Sequence, residues 1–184
     1  MRENSKNQLG HLKVFKFGGA SVRDAESVQN MVNIIAAHKN EKLLVVVSAM
    51  GKMTNAFEAL LNQVIEEEPA EIPIEEVKDF HDNIIKDLGL VSSQTLREDM
   101  EEIYEQLIHG LNGYSSAFGY DFVYDQTVSL AEVISTKIIA AYLNKQGIDA
   151  VWVDARKVVK TNSTHRQAMV DWGASQAMIK SQAM

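Results

Sequence analysis

The stretch Lys13-Val14-Phe15-Lys16-Phe17-Gly18-Gly19-Ala20-Ser21-Val22 constrains the chain most, because an apolar strand runs directly into two glycines, a small residue and a hydroxyl. Without a Cβ at Gly18 and Gly19 the backbone can come very close to a ligand. Their consecutive N–H groups can turn towards one oxyanion, and the amphipathic helix that starts near Asp24 adds the positive end of its dipole. The combination reads as a phosphate cradle. Lys16 stands inside the strand just before the turn, where a cation is out of place unless a partner or an anionic ligand requires it. A plain βα turn with a lysine reaching for solvent is the alternative.

Further along, residues 24–39 repeat apolar side chains at Val28, Met31, Val32 and Ile35, a helical spacing with Asp24 as the N-cap. The run 43–48 is continuously apolar and β-branched, as in a strand covered on both faces. Two strands joined by a helix form a βαβ unit with a right-handed connection. Ligands of such sheets sit beyond the carboxyl ends of the strands, where Gly18-Gly19 and Ser48-Ala49-Met50-Gly51 both fall, so the two turns are expected to face one crevice.

The middle of the chain changes character. Helical spacing recurs over 55–67 (Leu60, Leu61, Val64, Ile65), is interrupted by Pro69 and Pro73, and resumes over 74–88 and from Ser92 or Ser93 to Leu111. This predicts an acidic helical insertion at about residues 69–120. The run Glu66 to Glu68 reads as a solvated helix end, because adjacent helical positions do not converge on one ion. Residues 125–146 predict one long helix closed by Gly147, with Glu132 beside its apolar stripe. A carboxylate there is either tied to a nearby cation or placed to meet a ligand ammonium, and position alone favours the structural tie. Residues 150–154 read as a strand and 167–181 as a helix whose Met169, Trp172, Met178 and Ile179 need a partner surface.

Length and charge narrow the functional classes. At 184 residues the chain amounts to one domain or most of one, and its formal net charge of -7 argues against nucleic acid or an anionic membrane as partner. With no cysteine, disulfides, thiolate metal sites and cysteine nucleophiles are excluded. No apolar run approaches the roughly 18 residues of a membrane span. Residues 1–12 read as a flexible tail, too polar at its start for a signal peptide, which makes a cytoplasmic location the expectation. Gly51-Lys52-Met53-Thr54 fails as a P-loop, since Val46 occupies its first glycine position and Met53 follows the lysine. There is no G-x-G-x-x-G and no G-x-S-x-G, and His11, His38, His81, His109 and His165 lack ligand spacing, so surface or helix-face roles suit them better than a metal site.

Four blocks in order, Lys16-Phe17-Gly18-Gly19-Ala20-Ser21-Val22, Val45-Val46-Val47-Ser48-Ala49-Met50 with Thr54-Asn55, Ala131-Glu132-x-x-Ser135-Thr136, and Trp152-Val153-Asp154-Ala155-Arg156 with Thr161, resemble the aspartokinases of the amino-acid kinase family. The resemblance covers roughly residues 13–161. It implies an α/β fold, a three-layer αβα sandwich with a mainly parallel sheet, here incomplete and carrying the helical insertion. It implies transfer of the ATP γ-phosphoryl group to the β-carboxylate of L-aspartate, with Mg²⁺ entering as part of the ATP complex and no resident metal.

The roles implied are specific. Lys16 would neutralise charge on the transferring phosphoryl group while Phe17, Gly18 and Gly19 provide the backbone that holds the nucleotide phosphate. Ser48 and Thr54 would bind aspartate, and Glu132 would receive its α-ammonium, which reverses the structural preference above. Ala131 departs from the glycine usual at that position. The family's further half, with an Arg and an Asp that help hold aspartate and a glycine-rich segment beside the adenine pocket, has no counterpart here, nor do the regulatory ACT domains. Residues 13–184 are therefore expected to be the amino-terminal part of a kinase domain, inactive alone, and either self-associating or partly disordered at the carboxyl-terminal segment rather than a compact monomer. Two readings compete with this one: a glutamate or acetylglutamate kinase, and a non-catalytic half-domain that binds an amino acid or a partner chain.

Overall fold

The computed structural model describes residues 12–66, 74–112 and 118–182. Strand β1 (Lys13–Phe17) passes through a single 3-10 turn at Gly19–Val22 into helix α1 (Ala25–Ala36), and β2 (Leu43–Val47) returns parallel to β1 with Lys16 opposite Val46. Asp24 caps α1 as expected: its backbone is extended and its carboxylate accepts the Ser27 N–H at 2.8 Å, satisfying a donor that the first helical turn leaves unpaired. Val28, Met31, Val32 and Ile35 all point inward.

The sheet is covered on one face. Phe15, Phe17, Leu43 and Val45 pack on the core, whereas Val14, Leu44 and Val46 on the opposite face remain 59%, 37% and 46% exposed. The cover on both faces that the apolar run 43–48 predicts is absent among the described residues, because alternate side chains of a strand point to opposite sides and only one side meets helices. Lys16 belongs to the open face.

Five helices complete the core: α2 (Met53–Glu66), α3 (Ile74–Asp87), α4 (Gln94–Asn112), α5 (Tyr120–Thr127) and α6 (Leu130–Lys145). The buried stripes of α3 and α4, including Val77, Ile84, Leu96, Met100, Ile103 and Leu107, join the same continuous apolar cluster as the sheet. The predicted insertion is thus packed into the body. Pro69, Pro73 and the acidic pair Glu67-Glu68 lie outside the described residues, as do residues 1–11 of the expected tail.

Three expectations need correction. The single helix over 125–146 is two, α5 and α6, broken at Val128–Ser129. The Thr127 hydroxyl donates to the Val123 carbonyl at 2.8 Å and the Ser129 hydroxyl to the Asp125 carbonyl at 2.7 Å, a side-chain competition with the backbone that bends helices. Gly147 does end α6 with φ 76°, its N–H on the Asn144 carbonyl.

Residues 150–154 form no strand. Both backbone bonds of Ala150 go to the Asn144 side-chain amide, Val151 is 84% exposed, and Trp152 docks on α6 through its indole N–H to the Thr136 hydroxyl at 3.0 Å. The last helix begins later than predicted. After α7 (Ala155–Val158) the chain turns back, Thr161 bridges Val170, and α8 spans Trp172–Gln182 with the Asp171 carboxylate accepting the Ala174 N–H.

Candidate active site

The two glycine-containing turns meet. The Ser48 N–H donates to the Phe17 carbonyl at 3.1 Å and the Gly51 N–H to the Gly19 carbonyl at 3.1 Å, so the ends of β1 and β2 are stitched into one floor. Gly19 is required by this contact: a Cβ there would stand 2.8 Å from the carbonyl oxygens of both Ala49 and Gly51. Gly51 adopts φ 54°, a left-handed conformation that only glycine accepts without strain. Among the described residues, the amides of Gly18, Gly19 and Ala20 donate to no protein acceptor. Three neighbouring donors left unspent at a strand-to-helix junction form an anion-binding concavity.

Lys16 reaches over this turn. Its Nζ lies 3.6 Å from where a Cβ on Gly18 would stand, and it makes no ion pair among the described residues. Cation and backbone donors therefore converge on the same side of the sheet's carboxyl end.

Next to the floor, α2 and α6 bring together two residues far apart in sequence. The Thr54 hydroxyl donates to Glu132 Oε1 at 3.3 Å. One turn further along α6, the Ser135 hydroxyl donates to the Ser48 carbonyl at 2.8 Å, which latches the helix to the end of β2. Ala131 is fully buried, so its methyl group faces the core. The structure thus gathers Lys16, Phe17, Gly18, Gly19, Ser48, Thr54 and Glu132 at one end of the sheet. Behind them α6 is anchored to α4 by Lys137, whose Nζ sits 2.8 Å from Asp99 and 3.9 Å from the centre of the Trp152 ring.

A second group, which spacing alone does not reveal, continues from this pair. Glu58 lies one turn beyond Thr54 on α2, and the Tyr120 hydroxyl donates to Asn62 at 3.0 Å and to Glu58 at 3.5 Å. Tyr124 follows Tyr120 by one turn of α5, and the charges of Glu58 and Glu132, after burial, push its phenol pKa up. The guanidinium of Arg166 stacks over the Tyr124 ring at 4.4 Å. The i,i+4 pairs Thr54/Glu58 and Tyr120/Tyr124 were available in the sequence; the approach of Arg166 was not.

Among the described residues, no group of three or more His, Asp or Glu is placed to hold a metal ion, and no helix is long and apolar enough to cross a membrane.

The amino acid kinase family model matches residues 11–180, which takes in the βα turn with its lysine and the Thr54–Glu132 pair; the chain belongs to that family. Within it the chain is similar to aspartokinases. It is 33% identical over 159 residues to the chloroplastic aspartokinase 1 of Arabidopsis thaliana, covering 83% of this chain and 27% of that protein. It is 28% identical over 168 residues to the lysine-sensitive aspartokinase 3 of Escherichia coli, covering 90% of this chain and 36% of that protein. The crystal structure of E. coli aspartokinase III in complex with aspartate and ADP superposes with a TM-score of 0.78 at 26% identity, over 94% of this chain and 37% of that one. The chain thus spans about a quarter of the length of the plant relative and somewhat over a third of the bacterial one.

Proposed function

We infer that this chain is the acceptor-binding part of an aspartate kinase, which transfers the γ-phosphoryl group of Mg²⁺·ATP to the β-carboxylate of L-aspartate. One observation carries the reading: the Thr54–Glu132 pair stands beside a turn whose amides have no protein acceptor among the described residues. A carboxylate held by a hydroxyl suits a substrate ammonium, and free amides suit an oxyanion.

In this account Glu132 takes the α-ammonium of aspartate, with Thr54 and Ser48 bordering the same pocket. The β-carboxylate then faces the glycine turn. One of its oxygens attacks the γ-phosphorus, the bond from that phosphorus to the β,γ-bridging oxygen breaks, and ADP leaves. Such transfer depends on alignment and on charge neutralisation rather than on covalent help from the protein. Lys16 and the amides of Gly18 and Gly19 supply that neutralisation on the transferring group. Aspartyl phosphate is the product, the activated acid from which the lysine, threonine and methionine pathways start. The chain spans only 27% of the plant aspartokinase and 36% of the bacterial one compared above, and by itself it is expected to show no turnover. A cytoplasmic or plastid compartment and self-association through the open sheet face fit this reading.

The test is acceptor choice. The polypeptide that includes these residues is incubated with Mg²⁺·ATP and L-aspartate, L-glutamate or N-acetyl-L-glutamate, and the acyl phosphate is trapped with hydroxylamine. Aspartyl hydroxamate is expected in excess; preference for either glutamate compound would overturn the reading.

A further inference from the structure

Between α3 and α4 runs an open groove of about 650 Å³ that shares no residue with the sheet or the glycine turn. Ile85, Leu90, Leu96 and Met100 form its apolar floor, and Val91 and Ile108 stand at its edge, 66% and 37% exposed. The groove is preformed: Lys145 of α6 donates from Nζ to the Leu88 and Gly89 carbonyls at 2.8 and 2.7 Å and so pins the turn between the two helices.

Six charged side chains line this groove, and they sum to zero in a chain whose formal net charge is -7. Their order along the groove follows from the register of the helices. Tyr104 of α4 fixes that register, since its hydroxyl lies 3.2 Å from His81 Nδ1 and its ring centre 5.4 Å from Lys78 Nζ, both on α3. Counting helical turns from there places Lys86 level with Arg97 nearest the turn, Asp82 level with Glu101 about 6 Å further along, and Lys78 level with Glu105 beyond them. Like charges therefore share the first two levels. Asp82 and Lys86, and Arg97 and Glu101, are also opposite charges one turn apart on their own helices, yet none of the six makes an ion pair among the described residues. An apolar floor between charged walls is the form that receives another helix.

We propose that this groove docks on the same groove of a second copy of the chain, about a two-fold axis that crosses it between the levels of Lys86 and Asp82. A two-fold contact is self-complementary and reverses the direction of the groove. Lys86 and Arg97 of each copy then meet Asp82 and Glu101 of the other, and Val91 comes to the level of Tyr104, where its exposed side chain leaves water. The order of charges is its own complement under that reversal, which a partner of unrelated sequence has no reason to match. The local pairing also offsets the repulsion between two copies that each carry a charge of -7. This surface is separate from the open face of the sheet, and the assignment does not depend on the catalytic reading.

Sedimentation equilibrium on the 184-residue chain and two charge-reversed variants tests the contact. The unaltered chain should form a dimer. Lys86→Glu with Arg97→Glu makes the first two levels wholly acidic, and Asp82→Lys with Glu101→Lys makes them wholly basic. Each variant alone should dimerise roughly 100-fold more weakly, because four attractive rim pairs become four repulsive ones. Mixed in equal amounts, the two should associate as a heterodimer at least as tightly as the unaltered chain, since every facing pair is again opposite in sign. All four replaced residues are exposed, so the fold should survive, and circular dichroism of each variant confirms it. A monomeric unaltered chain, variants that associate as strongly as it does, or a mixture of folded variants no tighter than its components would each overturn the proposal.

Discussion

The Thr54 hydroxyl donates to Glu132 Oε1 at 3.3 Å across 78 residues of sequence, joining the first turn of α2 to the first turn of α6 at the carboxyl end of the sheet. One lone pair of that carboxylate oxygen is engaged by the threonine, and Glu132 is only partly buried, so the rest of the group stays open to a ligand. Glu132→Gln should raise the KM for aspartate roughly 30-fold, equivalent to about 2 kcal/mol for a charged hydrogen bond. Thr54→Val should cost less. The double variant should lose less than the sum of the two, because the residues act through one contact. Steady-state kinetics on the four proteins reads the coupling, and strict additivity would separate the two residues.

Lys16 is expected to matter more in the transition state than in the ground state, since charge on the transferring group shifts as the old bond breaks. Lys16→Ala should therefore lower kcat by far more than it raises the KM for ATP. An unchanged kcat would make it a lysine of the open sheet face and nothing more.

Gly19→Ala tests the floor of the site. The added methyl carbon meets two backbone carbonyl oxygens at 2.8 Å, and backbone on both sides leaves little room to yield. Overpacking of this kind costs roughly 1–3 kcal/mol. Urea unfolding should show the loss, together with weaker phosphate binding, whereas Gly18→Ala, which meets only the flexible Lys16 Nζ at 3.6 Å, should leave stability nearly unchanged.

His81 predicts a pH dependence remote from the site. Its Nδ1–H donates to the Val77 carbonyl at 2.7 Å, Tyr104 Oη lies 3.2 Å from the same nitrogen, and Nε2 is buried with no partner among the described residues. Burial lowers its pKa from 6.5 to about 4. The folded protein thus prefers the neutral ring, and the unfolded chain takes up a proton first on acidification. Stability is fully present above pH 6.5 and falls as the pH drops towards 4, by about 3 kcal/mol in total. Urea midpoints between pH 7 and pH 4 should follow that decline, and His81→Leu should flatten it; an unchanged slope in the variant would assign the decline to other groups.

How much of this was legible in the sequence depends on whether local chemistry decided it. The β1 turn, the Asp24 cap, the buried face of α1 and the Gly147 terminus follow from residues within a few positions of one another, and all are observed. The break between α5 and α6 lies in the hydroxyls of Thr127 and Ser129, which turn back onto the backbone, while the apolar spacing runs across them without interruption. Residues 150–154 have strand composition, yet the Asn144 side chain takes the backbone bonds that a neighbouring strand would have needed. His81 sits on the core-facing stripe between Val77 and Ile84, so its burial could have been inferred from period alone. Arg166 could not: its stacking on α5 depends on a loop conformation that no short-range pattern encodes.

The regiochemistry of transfer tests the central claim most directly. If Glu132 holds the α-ammonium and the glycine turn receives the other end of the substrate, the acyl phosphate formed from L-aspartate by the complete kinase domain is on the β-carboxylate. Borohydride reduction of the acyl phosphate itself, without hydroxylamine, should then yield homoserine. Recovery of 3-amino-4-hydroxybutanoate, the product of α-carboxyl phosphorylation, would contradict the account.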